Sequence, residues 1–459
     1  MRIAVVSDVH LGDDLCVLLE PDPAADSLPG PGPGYPALRE AVGHVDYLVL
    51  LGDIIDLSVA SYKDAYRDAK AFFTLVQRDD LARELIYVPG NHDFDVWNVV
   101  EHQVNVINQL KQGELPRPFK RAVPGVIDAR EDEPRLHLPD IAAHPEWKSR
   151  HHDYGGLFLD SITLRPRVAG GRRGEGQRSL FNFAYPNLYL VTREGETVLL
   201  THGHYFEAYW TLLGEWALRL AGDELDLERE GELSIRELVG VNFPFQQLAC
   251  SGVGQARPLS RLARLLQLDT MAGRTTRVER YLRRAEQELV RSAPLGLPTR
   301  LLRSWLARRA RERVLASLEK VEQTRFSREF FARPAVRERF RRYYRNCLAE
   351  LSRLREEHGI DAPAPRFVIF GHTHQPIPWG SDELTDTVDG HEVRLFNAGG
   401  WVLKTESDGR SAFPGAEVFV FETGERPRSI PIRGADLKRG RPDVAPGGVP
   451  AVASPASSA

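Results

Sequence analysis

Short apolar runs closed by polar clusters recur along the chain and set its organisation. Residues 2–7, 46–51, 85–88, 188–192, 196–200 and 366–370 read as buried strands, since inner parallel strands lose the polar alternation of half-exposed ones. Further strands are expected at 157–164, 393–397 and 418–421. Between them, apolar residues spaced by three and four predict helices at 38–44, 63–78 and 94–109. Strand, crossover and strand alternate over the first hundred residues at the intervals of βαβ units. The stretch 111–153 is polar, interrupted by proline and without a clear period. From 206 to 355 the pattern turns helical, with candidates at 259–268, 278–289, 301–321 and 336–354 and breaks at Pro294, Pro298 and Pro334. Strand patterning then resumes.

Charge adds a second division. The formal net charge of the 459 residues is -4, yet residues 261–355 hold 25 Lys and Arg against 10 Asp and Glu. A surface of this kind suits an anionic substrate, an anionic membrane or nucleic acid, or simply balances the acidic remainder. That acidity leaves no continuous basic groove, which argues against nucleic acid as the partner. Cys16, Cys250 and Cys347 lie far apart, so neither a disulfide framework nor a cysteine-built metal site is expected. The first strand begins at the second residue and no run reaches the roughly 20 apolar residues of a spanning helix, so a cytoplasmic protein is expected. Beyond 436, Gly, Pro, Ala and Ser dominate and predict a disordered tail.

The chemistry sits at the strand ends. Asp8 and His10 follow the first strand, Asp53 the second and Asn91-His92-Asp93 the third. His202-Gly203-His204 and His372-Thr373-His374 close two later ones. Carboxyl ends of packed parallel strands converge even when hundreds of residues separate them. Nitrogen and carboxylate donors without thiolates suit Mn, Fe, Zn, Co or Ni. A single aspartate can bridge two ions about 3.5–4 Å apart, an arrangement that activates water and clamps a phosphate.

The blocks Asp8-Val9-His10, Gly52-Asp53-Ile54-Ile55-Asp56, Gly90-Asn91-His92-Asp93, His202-Gly203 and Gly371-His372-Thr373-His374 resemble those of the calcineurin-like metallophosphoesterases. The resemblance covers roughly 1–100, 185–210 and 366–425. It implies an α/β fold of two packed mixed sheets flanked by helices, a four-layer sandwich, here with a large helical insertion. It implies two divalent ions (Mn, Fe, Zn or mixed). Asp8, His10, Asp53 and His374 would hold the first, and Asp53, Asn91, His202 and His372 the second, with Asp53 bridging. His372 and His374, two apart on an extended segment, would reach neighbouring ions from one side. His92 would contact phosphate and help the leaving oxygen, with Asp93 orienting it. Hydrolysis of a phosphate ester by a metal-activated hydroxide is the implied reaction.

Other residues have several readings. Asp56 either caps the next helix or bonds within the ligand shell. His204 is a supporting group, a substrate contact or a structural residue. Arg172, Arg173 and Arg178 could meet substrate phosphate through forked donors or remain in a solvated loop. Asn397-Ala398-Gly399-Gly400-Trp401 is expected to form the floor of the site. The expected division is a discontinuous catalytic domain over 1–205 and 360–435, a basic helical insertion over 206–359 that caps the cleft, and a tail over 436–459. The expected substrate is a phosphorylated small molecule. The alternative is a lipid-linked pyrophosphate, as in the UDP-diacylglucosamine hydrolase branch, met at a membrane surface by the basic insertion. A nuclease or a silent scaffold rank behind both.

Overall fold

Side-chain alternation along the strands decides how the layers stack. The computed structural model describes residues 1–21, 27–58, 60–119, 122–142, 180–248, 329–405 and 411–439, with Cys250, Arg280 and Arg284. Its strands, leaving aside two short two-stranded pairs, are β1 (Arg2–Val6), β2 (Val45–Leu50), β3 (Ala82–Tyr87), β4 (Gly125–Asp128), β5 (Arg135–His137), β6 (Leu180–Phe183) and β7 (Asn187–Val191). They continue with β8 (Thr197–Thr201), β9 (Phe367–Phe370), β10 (Thr385–Val388), β11 (His391–Asn397), β12 (Ala416–Glu422) and β13 (Arg428–Ile432). One sheet has the order β13-β12-β1-β2-β3-β6 and the other β10-β11-β9-β8-β7-β4-β5. In the first, β1, β2, β3 and β6 are parallel, and β12 and β13 complete it antiparallel. In the second, β8, β9 and β11 are parallel.

Ile3, Val5, Val49 and Ile86 of the first sheet meet Leu188, Leu190, Val198, Leu200 and Ile369 of the second in one buried cluster. Their neighbours Ala4, Val6, Leu48, Leu50 and Leu85 point the other way, into a core shared with α1 (Tyr35–Val42) and α2 (Tyr62–Arg78). Ser61 caps α2 by accepting from Asp64 N, and Ala65, Ala69, Phe72, Phe73 and Val76 form its buried face. The outer face of the second sheet is covered by a helix from Pro334 to His358. Its Tyr343 hydroxyl donates to Asn187 Oδ1 at 2.6 Å, while its Glu350 accepts from the Tyr189 hydroxyl at 2.7 Å. The result is a four-layer sandwich of two mixed sheets between helices. The stretch expected to be an insertion thus contains a helix that forms one of its layers.

Three further elements bear on the site: α3 (Phe94–His102), α4 (Leu212–Ala221) and α5 (Ile235–Gln247), with Pro334–His358 as α6. The helix expected at 94–109 is regular only to His102, then widens into a π-type turn over Gln103–Ile107, spanned by a Gln103 to Asn108 side-chain bond of 2.7 Å. The unpatterned stretch 111–153 supplies β4 and β5, edge strands too short to show a period. The strand expected at 157–164, the helices expected at 259–268 and 301–321, most of that at 278–289 and the tail beyond 439 lie outside the described residues. Among the described residues, no helix is long and apolar enough to cross a membrane.

Candidate metal centre

Parallel register puts the five polar loops on one edge of the sandwich. The loop after β1 runs beside that after β2, with Asp8 N donating to Gly52 O at 3.0 Å and His10 N to Asp53 O at 2.9 Å. The loops after β8 and β9 are tied by Gly371 N to His202 O at 3.0 Å. The two sheets are joined at the site itself, because His372 N donates to the Asp8 carboxylate at 3.0 Å. Below it, Trp401 N donates to Asp8 O at 2.9 Å and Asn397 Nδ2 to Gly371 O at 2.6 Å, so the Asn397–Trp401 turn forms the expected floor.

The backbone is bent sharply where the donors sit. Asp8, His10, Asp53, His372 and His374 have φ of 54°, 56°, 52°, 67° and 52°, five of the seven positive values at non-glycine positions among the described residues. Each costs on the order of 1–3 kcal/mol and persists only where the surroundings hold it. The expectation of an extended segment at His372-Thr373-His374 is therefore corrected: both histidines are left-handed. Two motif glycines are required by close approach. A Cβ on Gly371 would lie 2.1 Å from Asp8 Oδ2, and one on Gly52 would lie 2.4 Å from His202 Nδ1.

Asp8, His10, Asp53, Asn91, His202, His372 and His374 converge, and all are buried. Donor atoms of Asp8, His10 and His374 lie within 4.8 Å of one another, as do those of Asp53, His202 and His372, and those of His10, Asp53 and His92. The His374 Nε2 lies 3.2 Å from Asp8 Oδ1 and 3.2 Å from His10 Nε2. Asp53 stands between the groups. Its Oδ1 accepts from His92 N at 2.8 Å, whereas its fully buried Oδ2 has no well-aligned hydrogen bond. Three imidazole Nε2 atoms surround that oxygen, His202 at 3.1 Å, His10 at 3.8 Å and His92 at 4.0 Å. A fully buried carboxylate oxygen ringed by three imidazole nitrogens, the nearest at 3.1 Å, is a place where a cation fits, since burying such a charge is costly unless it is paired. The donor set fits divalent ions of borderline softness.

Burial disfavours charge on Asp53, but the imidazoles of His202 and His92 outweigh it and hold its carboxyl well below the usual range. Burial likewise works against a proton on His10 and His202. The Asp56 contact nevertheless raises His10 to about 9, and Asp53 raises His202 to about 9. Without metal, both therefore keep protons at neutral pH. Histidines with raised folded pKa values stabilise fully below their unfolded value of about 6.5 and lose that contribution as pH rises through about 9. Melts of chelator-treated protein should show this fall in Tm between pH 6.5 and 9.5. Metal binding requires deprotonated ligands, so over the same range loading should become tighter and release protons below pH 9.

Not every expected role falls on the expected residue. Asp93 does not orient His92. Its carboxylate accepts from Ile54 N at 2.7 Å, Gly90 N at 2.5 Å and the Tyr87 hydroxyl at 2.5 Å. Burial, with the Asp53 carboxylate second, pushes Asp93 up to about 6. Asp56 takes the orienting place, its Oδ2 lying 3.0 Å from His92 Nδ1 and 2.8 Å from His10 Nδ1. Ser58 Oγ, 2.6 Å from His92 Nδ1, joins them. Of the two readings of Asp56, the bond within the ligand shell is the one formed, and Ser61 serves as the cap. Substituting Asp56→Asn should lower metal affinity and turnover together by about 10–100-fold, read by metal titration and kcat.

His204 is buried beside the cluster, its Nε2 3.3 Å from Gln246 Nε2 and its ring centroid 6.4 Å from that of His372. Arg172, Arg173 and Arg178 lie outside the described residues. Glu207 and Ser58 are members of the site that sequence reasoning missed. Glu207 lies beyond the histidine block, after the 3-10 turn His204–Phe206, and is 2.8 Å from His372 Nε2.

Two face-to-face mixed sheets with aspartate, asparagine and histidine gathered at one edge define a fold of the metallophosphoesterase class. Residues 1–219 match the family model for calcineurin-like phosphoesterase, a family that typically binds divalent metals. The match takes in four of the five polar loops, and folding brings the fifth, Gly371–His374, to them. No curated protein matches the chain.

Proposed function

We propose that the protein is a binuclear metal-dependent phosphoesterase. The observation that carries this reading is the fully buried Oδ2 of Asp53 amid three imidazole Nε2 atoms. Asp8, His10, Asp53 and His374 would hold one ion, and Asp53, Asn91, His202 and His372 the other. When bound, such a pair supplies Lewis acidity toward phosphoryl oxygens and a nucleophilic water at neutral pH. His92 supplies the proton. Its Nδ1 is engaged by Asp56 and Ser58, which leaves Nε2 as the exchanging nitrogen, and its side chain is 12% exposed, at the mouth of the cluster. There it can protonate a leaving oxygen, the usual work of a positioned imidazole. Asp56 keeps the ring and its tautomer in place. A panel of phosphate monoesters, diesters and pyrophosphates, assayed after loading with Mn, Fe or Zn, tests this reading. Metal-dependent cleavage of one ester class is expected, and no cleavage of any compound would remove the proposal.

A second reading, a lipid-linked pyrophosphate taken at a membrane surface, is favoured by one observation. Trp216 and Leu220, one turn apart on α4, are 50% and 84% exposed, and α4 begins five residues after Glu207. An amphipathic helix with a Trp on its apolar face suits an interface. Co-sedimentation with vesicles containing anionic lipid, lost in Trp216→Ser with Leu220→Ser, is expected on this reading. Full-strength activity on soluble esters with no vesicle binding would discard it.

A further inference from the structure

Three of the histidines whose ring nitrogens contact the cluster share a feature. His10 Nδ1 lies 2.8 Å from Asp56, His92 Nδ1 3.0 Å from Asp56, and His202 Nδ1 3.1 Å from the Leu51 carbonyl. In each, one nitrogen is held by an oxygen that only accepts, and Nε2 is the nitrogen near Asp53. His372 inverts the arrangement, since the oxygen that holds it, Glu207 Oε2, is 2.8 Å from Nε2. A carboxylate cannot donate, so Nε2 carries a proton, and whenever the ring is neutral its lone pair is on Nδ1. A donor atom of His372 nevertheless lies within 4.8 Å of those of Asp53 and His202.

We infer that Glu207 is the positioning residue of the second metal site, fixing His372 in the tautomer that offers Nδ1. The inference rests on the binuclear reading above and extends it to a residue outside the recognised motifs. A carboxylate on the far nitrogen of a ligating histidine sets ring orientation and raises ligand basicity. Here it also links the site to the helices that follow. Glu207 is buried beyond the turn after β8, and its carbonyl accepts from Thr211 Oγ1 at 3.3 Å, at the N-terminus of α4.

The test uses full-length protein with Glu207→Gln and Glu207→Ala, titrated with Mn(II) alone and followed by bound-metal analysis. Wild type is expected to bind two ions. In Glu207→Ala the second is weakened about 10–100-fold while the first is unchanged. Glu207→Gln, whose amide oxygen still accepts the His372 proton, falls between them. Nitrogen NMR of the metal-free, histidine-labelled protein, recorded at a pH where the rings are neutral, supplies a readout independent of metal: one tautomer of His372 in wild type and a mixture in Glu207→Ala. Two tight ions in both variants, or an unchanged His372 tautomer, would overturn the inference. Equal weakening of both ions with a lowered Tm would mark a merely structural residue and also overturn it. A wild-type protein that binds fewer than two ions would instead sink the binuclear reading on which it rests.

Discussion

Asp53→Asn is expected to abolish turnover and strip metal from both sites while leaving the fold intact. Asparagine keeps the carbonyl that accepts from His92 N, at 2.8 Å from Asp53 Oδ1, so the local backbone has its bond. What disappears is the charged Oδ2 that three imidazoles surround. The loss touches both sites, so metal affinity should fall by more than the roughly 10–100-fold seen when only a supporting residue is removed. The His202 imidazole, held up at about 9 by Asp53, should also titrate lower. Bound-metal analysis, an aryl phosphate assay and histidine NMR would check each part. An Asp53→Asn protein that still held two ions would mean the bridging role is misassigned.

His92→Ala should separate chemistry from metal binding. The side chain is at the mouth of the cluster and the backbone amide that bonds Asp53 is kept, so both ions should remain. Turnover should fall by about 10²–10⁴-fold, the range for a general acid or base. The fall should be steepest for alkyl leaving groups, which need a proton, and shallow for a good aryl leaving group. Equal losses across leaving groups would contradict the role of proton carrier, and loss of metal would make His92 a ligand.

Much of this is legible in the sequence, for a physical reason. Buried parallel strands announce themselves as apolar runs, and residues just past them must lie at the sheet edge. Asp8, Asp53, Asn91, His202 and His372 were therefore placed by strand ends alone. The supporting contacts were not legible. Asp93 adjoins His92 in sequence, but its carboxylate turns back to the amides of Ile54 and Gly90, while Asp56, 36 residues away, meets the imidazole. Adjacency along the chain says little about which way a side chain turns in a tight loop. The left-handed backbone at His372 and His374 was hidden for a related reason, since only glycine advertises that conformation in sequence. Helix α6 was readable as a helix from the spacing of Val336, Phe340, Tyr343 and Leu351. Its place against Asn187 and Tyr189 depends on a contact more than 150 residues distant.

The most direct test of the central claim is a metal titration of chelator-stripped protein, with phosphodiester and monoester cleavage followed at each step. The account predicts that hydrolysis appears as ions bind and reaches its plateau when two are held per chain. Protein that carries both ions and cleaves neither ester, at any pH where its histidines are deprotonated, would contradict it.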